Sequence, residues 1–210
     1  MGMSAELVER SGSRERKKLQ TRKKLEDSAL RLFEDKGFEG TTVDDISAAA
    51  GVAPRTFFRH FASKEAVVFG DHEHDLAELR TALWARPTED SLADALQGAT
   101  TTLMQLHFRD PTRARVRVQL AASTPSVAAY GRQEVLREWE RAFAEWVADR
   151  LGVDPFRDLR PRFFACVALG ALQAATVAWV YNDWEGDFGP LIERAFALLP
   201  QLADGTITTR

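Results

Sequence analysis

Residues 41–70 read TTVDDISAAAGVAPRTFFRHFASKEAVVFG, and this stretch decides the fold. Thr42 stands where a side-chain oxygen caps a short helix from the front. Asp45, three residues on, takes the capping-box position with a shorter arm than the usual Glu. Gly51 ends that helix, and Pro54 opens the next, since a first helical turn does not need the N–H that proline lacks. Phe57 and Phe61 then fall four apart on one face. Two short helices joined by a tight glycine turn result, with Ile46, Ala50, Val52, Phe57 and Phe61 as the small core that sets their crossing angle. Arg55, Thr56, Phe58, Arg59 and His60 are left to point elsewhere.

Upstream, Leu25, Ala29, Leu32 and Phe33 recur on one face of a helix expected over 16–36, which Gly37 stops. Before it and through its first turns, Arg10, Arg14, Arg16, Lys17, Lys18, Arg22, Lys23 and Lys24 are opposed only by Glu15. Residues 1–64 carry 13 Lys and Arg against 10 Asp and Glu, a charge of +3, whereas the rest of the chain carries −6. Such an arm is either a solvated tail or a phosphate-binding segment, because neutralising phosphates releases counterions. A basic arm before a helix-turn-helix is the pattern of a DNA reader. Arg55 can pair with a guanine edge in the major groove, while Thr42 and Lys64, at the starts of helices, suit phosphate oxygens.

The same residues resemble the N-terminal domain of TetR-family transcriptional regulators over about 17–70. The resemblance implies three DNA-reading helices followed by a larger helical domain that binds a small ligand and dimerises through its last two long helices. It implies that Thr42, Thr56, His60 and Lys64 touch phosphate or groove and that Arg55 lies in or near the base-reading set. Phe58 and Arg59 on the outward face of the same helix, and Lys17 and Lys18 of the basic arm, are the further DNA-binding candidates. A phosphate contact from His60 would strengthen on protonation. Family members usually carry Tyr where this chain has Phe58, so the phenolic hydroxyl is missing. Phe58 either joins the small core or packs against sugar or a thymine methyl. The segment FFRHFASKEAVVFGDHE also resembles a subgroup that includes the mycofactocin-associated regulator, whose members respond to acyl-coenzyme A thioesters. An acyl-CoA effector is the corresponding expectation.

Beyond Ser63 the pattern is helical nearly throughout, with breaks at Pro87, Pro111, Pro125, Gly152 to Pro155 and Gly186 to Pro190. Helices are expected over 64–84, 91–108, 111–123, 126–151, 158–182 and 190–200, about nine in all and no strand. The chain is therefore expected to be all-α, with a DNA-binding domain over 1–63 and an effector-binding and dimerisation domain over 64–210. Bulky rings in the second domain imply an apolar cavity for a small hydrophobic effector, with Trp139, Phe143, Trp146, Phe164, Gln173, Thr176 and Asn182 as its candidate lining. Small residues on helix 158–182 allow close helix approach. This places the subunit contact at Ala168, Leu172, Ala175 and Trp179, joined by Leu191, Ala195 and Leu198 in a four-helix bundle across a twofold axis.

Several classes are excluded or disfavoured. The single cysteine, Cys166, has no intrachain disulfide partner, in keeping with a cytoplasmic home, and the basic N-terminus lacks the apolar run of a secretory signal. Residues 163–181 carry no formal charge and approach the length that spans a bilayer. Gln173, Thr176, the alanine content and a mean hydropathy of −0.28 instead favour a helix buried on most sides of a soluble protein, without membrane insertion. His72 and His74 point to nearly opposite sides of a helix, so no metal or cofactor is expected there, and His107 reads as an ordinary histidine. No GxSxG, GxxxxGK or GxGxxG signature is present, so an enzyme is not expected. These features together read as a homodimeric repressor of palindromic double-stranded DNA operators. The alternative is a helical small-molecule-binding protein or enzyme that has lost DNA recognition.

Overall fold

The computed structural model describes the backbone of residues 2–182 and 184–204, with side-chain surroundings for 16–182 and 184–201. All regular structure among the described residues is helical, as the proline and glycine breaks require. Contacts divide the chain into two compact units, residues 1–70 with 116–130, and residues 71–115 with 131–210. The first unit thus takes Lys64 to Gly70 and a later segment in addition to the 1–63 expected as a domain.

In the first unit, α1 (Gly2–Lys36), α2 (Val43–Ala49), α3 (Pro54–Phe58) and α4 (Lys64–Val68) are joined by the end of α7 (Pro111–Ser123) and by α8 (Pro125–Tyr130). α1 begins well before the expected Arg16. Its apolar face supplies Leu25, Ala29, Leu30 and Phe33 to one core with Phe38, Ile46, Phe57, Phe61, Val67, Val68, Val116 and Val127. Ala50 and Val52 pack against that core, which is the arrangement their spacing implied. Gly51 adopts φ +69°, a left-handed conformation that lets α2 turn sharply into α3 at no steric cost.

The helix expected over 64–84 is two helices, α4 and α5 (His72–Trp84). Gly70, at φ +61°, breaks the α-helical geometry between them. The expected helix over 64–84 is therefore not one continuous rod.

The second unit holds α5, α6 (Leu92–His107), a π-helical stretch (Gly131–Leu136), α9 (Arg137–Leu151), α10 (Arg160–Tyr181), α11 (Gly189–Phe196) and α12 (Leu198–Asp204). The helix expected over 126–151 is thus divided by a wider turn at 131–136, where Leu136 is 39% exposed. Trp139, Phe143, Trp146 and Val147 of α9 are buried at three- and four-residue steps.

α10 corrects two expectations. Pro161, Ala165, Ala168, Leu172, Ala175 and Trp179 are its buried residues, a seam of alternating four- and three-residue steps, and α9 is its most extensive neighbour. Ala168, Leu172, Ala175 and Trp179 therefore face the interior of their own protomer and are unavailable to a second subunit. Nor is the helix buried on most sides. Phe163, Gly170, Ala174, Val177 and Tyr181 each lie two residues beyond a seam position, about 200° round the helix, and all are exposed. α10 is long and apolar enough to cross a membrane by length and composition, but one of its faces is taken by packing within the protein.

Candidate nucleic-acid interface and ligand cavity

α2 begins with the reciprocal cap that the sequence implies. Asp45 N donates to Thr42 Oγ1 at 3.1 Å, and Thr42 N donates to Asp45 Oδ2 at 2.9 Å. The Thr42 hydroxyl adds a 2.6 Å bond to the same carboxylate oxygen, which holds the Asp45 carboxyl below the ordinary carboxylate range. Thr42→Ala should cost about 1 kcal/mol of stability, the usual value of an N-cap, measurable by urea unfolding.

α3 is five residues long and cannot persist alone, so tertiary contact fixes it. Phe57 is its anchor, fully buried, with ring centroids 5.7 Å from Phe61 and 5.4 Å from Phe58. With Phe57 inward, Arg55, Phe58 and Arg59 are exposed and Thr56 is half-buried. Phe58 is 60% exposed, which removes the core alternative for this ring. Lys17 and Lys18 are also exposed on α1, whereas Arg10 and Arg14 lie outside the residues whose side chains are described.

Two expected phosphate contacts are placed otherwise. Lys64 Nζ donates to Phe38 O at 2.7 Å and Thr41 O at 3.0 Å, and it sits 4.1 Å from the centroid of the Phe38 ring. It therefore fastens the turn between α1 and α2 from the start of α4. His60 is 8% exposed, and neither ring nitrogen has a hydrogen-bond partner among the described residues. Burial, then the neighbouring Arg59, Arg22 and Lys18, push its pKa below the usual value of 6.5. Its surroundings therefore favour the neutral imidazole over the charged form that a charge-assisted phosphate contact needs.

A pH dependence of stability follows from His60. Its folded-state pKa is depressed, so near and below about pH 6.5 the unfolded chain binds a proton that the folded chain resists. Stability should fall as pH drops from about 7 to about 5.5. Thermal unfolding of the wild type and of His60→Leu at the two values checks this, with a smaller loss expected for the variant.

Arg22, read in the sequence as part of the basic arm, is a structural brace. Its guanidinium donates to His60 O at 2.9 Å and Gly70 O at 2.7 Å, lies 4.4 Å from the Phe61 ring centroid, and approaches Glu26 at 3.5 Å. Arg117 reaches the other oxygen of the same buried carboxylate at 3.9 Å. Sequence spacing signals only the Arg22–Glu26 pair, because the other partners come from residues 60, 70 and 117.

In the second unit a cavity of about 280 Å³ is lined by Thr101, Met104, Gln105 and Phe108 of the α6 region, Pro111, Trp179, the 186–189 turn and Ile192. None of the expected ligand residues is among them. Trp139, Phe143 and Trp146 are spent on the buried face of α9, and Phe164 stacks edge-on with Phe163 at 5.4 Å. Gln173 is exposed, Thr176 bonds back to Leu172 O at 2.9 Å, and Asn182 bonds Glu185 O at 3.2 Å. His107 pairs with buried Asp75 at 3.4 Å, and Arg109 reaches the same carboxylate at 3.3 Å. No cluster fit to hold a metal occurs among the described residues.

A glycine-turned helix pair with exposed arginines, on a chain that continues as a second helical unit, defines a class of helix-turn-helix DNA-binding regulators. Residues 25–69 match the family described as bacterial regulatory proteins, tetR family, and residues 90–203 match the MftR C-terminal domain. The chain belongs to the TetR family of transcriptional regulators. It is 33% identical over 159 residues to a Mycobacterium tuberculosis protein named as a mycofactocin biosynthesis transcriptional regulator, MftR, covering 76% of this chain and 79% of that one. It is 36% identical over 177 residues to the HTH-type transcriptional regulator TcmR of Streptomyces glaucescens, covering 80% and 76%.

Solved structures share the fold at lower identity. The fatty acid degradation regulator FadR of Bacillus halodurans superposes with a TM-score of 0.61 at 19% identity, over 85% of this chain and 94% of that one. FadR of Bacillus subtilis, solved in complex with stearoyl-CoA, gives 0.58 at 19% identity, over 84% and 96%.

Proposed function

We propose that this protein is a cytoplasmic homodimeric repressor that binds a palindromic double-stranded DNA operator and leaves it when a small hydrophobic effector binds. The observation that carries the DNA-binding half is α3, which buries Phe57 and leaves Arg55, Phe58 and Arg59 exposed behind a turn fixed by Gly51. Arg55 is the residue for a guanine edge, Thr56 and Arg59 flank it, and Phe58 offers an apolar ring to sugar or a thymine methyl. Thr42, Lys17 and Lys18 face phosphates. Lys64 and His60 support this surface from behind, through the Phe38–Thr41 turn and the core. Arg55→Ala should cost about 1–3 kcal/mol of operator binding and relax preference at one base position, whereas Lys18→Ala should weaken all sequences alike and flatten the salt dependence. Fluorescence anisotropy across a salt series separates the two. Equal losses on every sequence for both variants would count against Arg55 as a base reader.

The second copy is assigned to the exposed face of α10, through Phe163, Gly170, Ala174, Val177 and Tyr181, with Leu198 and Leu199 beside Leu191 and Ala195. Homodimers are typical of the family, and an apolar face of this length is the kind that monomers rarely leave in water. Release is a shift of population: an effector that favours wrongly spaced reading helices lowers operator affinity by its differential binding and by no more. Acyl-CoA thioesters are the first effector class to test, given the stearoyl-CoA bound by Bacillus subtilis FadR. Addition of a long-chain acyl-CoA to the protein–operator complex should release DNA. Unchanged affinity would remove that class and leave the DNA-binding assignment standing.

A further inference from the structure

Glu26 of α1 is a buried carboxylate of the first unit, 7% exposed. Two guanidiniums address it, one at each oxygen. Arg22 Nε stands 3.5 Å from Oε1, and Arg117 Nη2 stands 3.9 Å from Oε2. The side chains of Arg22 and Arg117 are themselves only 15% and 13% exposed. Arg117 comes from α7, well outside the residues 25–69 that match the tetR family, yet it belongs to the same compact unit. Gly70 makes room for it, since a Cβ there would collide with Arg117 Nη2.

The division of Arg22 between its partners is the unusual feature. A guanidinium bonds a carboxylate about twice as strongly as a neutral carbonyl, and its fork fits two carboxylate oxygens. Arg22 and Glu26 also have the i,i+4 spacing that brings such a pair together on a helix. Yet the two Nη groups of Arg22 go elsewhere. Nη1 donates to His60 O at 2.9 Å and Nη2 to Gly70 O at 2.7 Å, both closer than the approach of Nε to the carboxylate. A second cation accounts for this. With Arg117 beside Oε2, the charge of Glu26 is shared and draws less on Arg22. The carbonyl that Arg22 holds lies two residues past the end of α3, where His60 N and Phe61 N both donate to Phe57 O at 2.8 and 2.9 Å.

We propose that Arg117 is a positioning residue for DNA reading: by sharing Glu26 it keeps the Arg22 fork on the carbonyls of His60 and Gly70, and so fixes the angle at which α3 presents Arg55, Phe58 and Arg59. Without Arg117, the fork turns onto both oxygens of Glu26 and releases the carbonyls. The consequence at DNA rests on the base-reading role given to α3 above, whereas the effect on α3 itself is measurable without DNA.

Arg117→Met keeps most of the apolar stem and removes the charge. Anisotropy is read on the palindrome selected from random duplex DNA and on a scrambled duplex of equal length. The variant should bind the palindrome at least about tenfold more weakly, the order of one charge-assisted hydrogen bond, and the scrambled duplex within about twofold of wild type. The amides of His60 and Phe61 should exchange with solvent at least about tenfold faster. Glu26→Gln combined with Arg117→Met removes the carboxylate that competes for Arg22, and should return both discrimination and protection to within about threefold of wild type. An ion pair that merely adds stability predicts no such recovery. Unchanged protection at His60 and Phe61 in Arg117→Met overturns the proposal, as does a double variant that fails to fold or stays as impaired as the single one. Should Arg117→Met alone not fold, a folded and discriminating double variant carries the same support. Protection lost and recovered with no preference for a palindrome in any variant supports the hold on α3 and counts only against α3 as the base reader.

Discussion

Val177→Arg should convert the protein to monomers and weaken operator binding by at least about a hundredfold. Val177 is 46% exposed at the middle of the α10 face that a second copy is proposed to cover. An arginine there is placed unpaired in an apolar contact, and leaving a buried charge without a partner typically costs about 3–5 kcal/mol, more than two powers of ten in affinity. The palindrome would then be held by one reading helix at a time instead of two. Sedimentation velocity and anisotropy on the operator read the two effects together. Ala175→Arg is the informative contrast. Ala175 is 2% exposed in the seam against α9, so arginine there should unfold the second unit rather than yield a folded monomer. A folded dimeric Val177→Arg protein would refute this face.

Phe57→Ala should abolish specific DNA binding by dissolving the first unit. Removing a fully buried phenyl ring typically costs about 3–5 kcal/mol, from lost transfer energy and the cavity left behind, and Phe57 is fully buried against Phe61. A five-residue helix has no stability of its own to fall back on, so α3 loses its orientation together with its anchor. Phe58→Ala, one residue on, should change stability by less than about 0.5 kcal/mol, because its ring is exposed, while still lowering operator affinity. Urea unfolding and operator titration of both variants separate anchor from contact. Equal destabilisation by the two substitutions would contradict the orientation of α3.

Periodicity carried much of this in the sequence. Ile46, Phe57 and Phe61 announce the small core because apolar residues at helical spacing between a capping threonine and a glycine turn have few other arrangements. The reciprocal Thr42–Asp45 cap is likewise local, and local chemistry is readable. His60 and Lys64 were misplaced because a polar residue beside exposed arginines looks exposed itself. The partners of Lys64 come from the 38–41 turn and that of the His60 carbonyl from α1, none of them adjacent in sequence. The phase of α10 was hidden for a different reason. Apolar residues occupy nearly every position after Arg162, with only Gln173 and Thr176 polar, so no polar stripe marks which side meets α9. The cavity was illegible because residues 104, 108, 179 and 188 converge only through tertiary packing, while the tryptophans of α9, more prominent in the sequence, are used up as core.

Selection of bound sequences from random duplex DNA by the purified full chain at moderate salt tests the central claim most directly. A dimer with two reading helices predicts enrichment of a palindrome whose half-sites lie about one helical turn apart, or a multiple of that, and loss of one base preference per half-site in Arg55→Ala. No enrichment from protein shown to be folded, dimeric and stripped of bound small molecules would contradict it, and would favour a helical ligand-binding protein that no longer reads DNA.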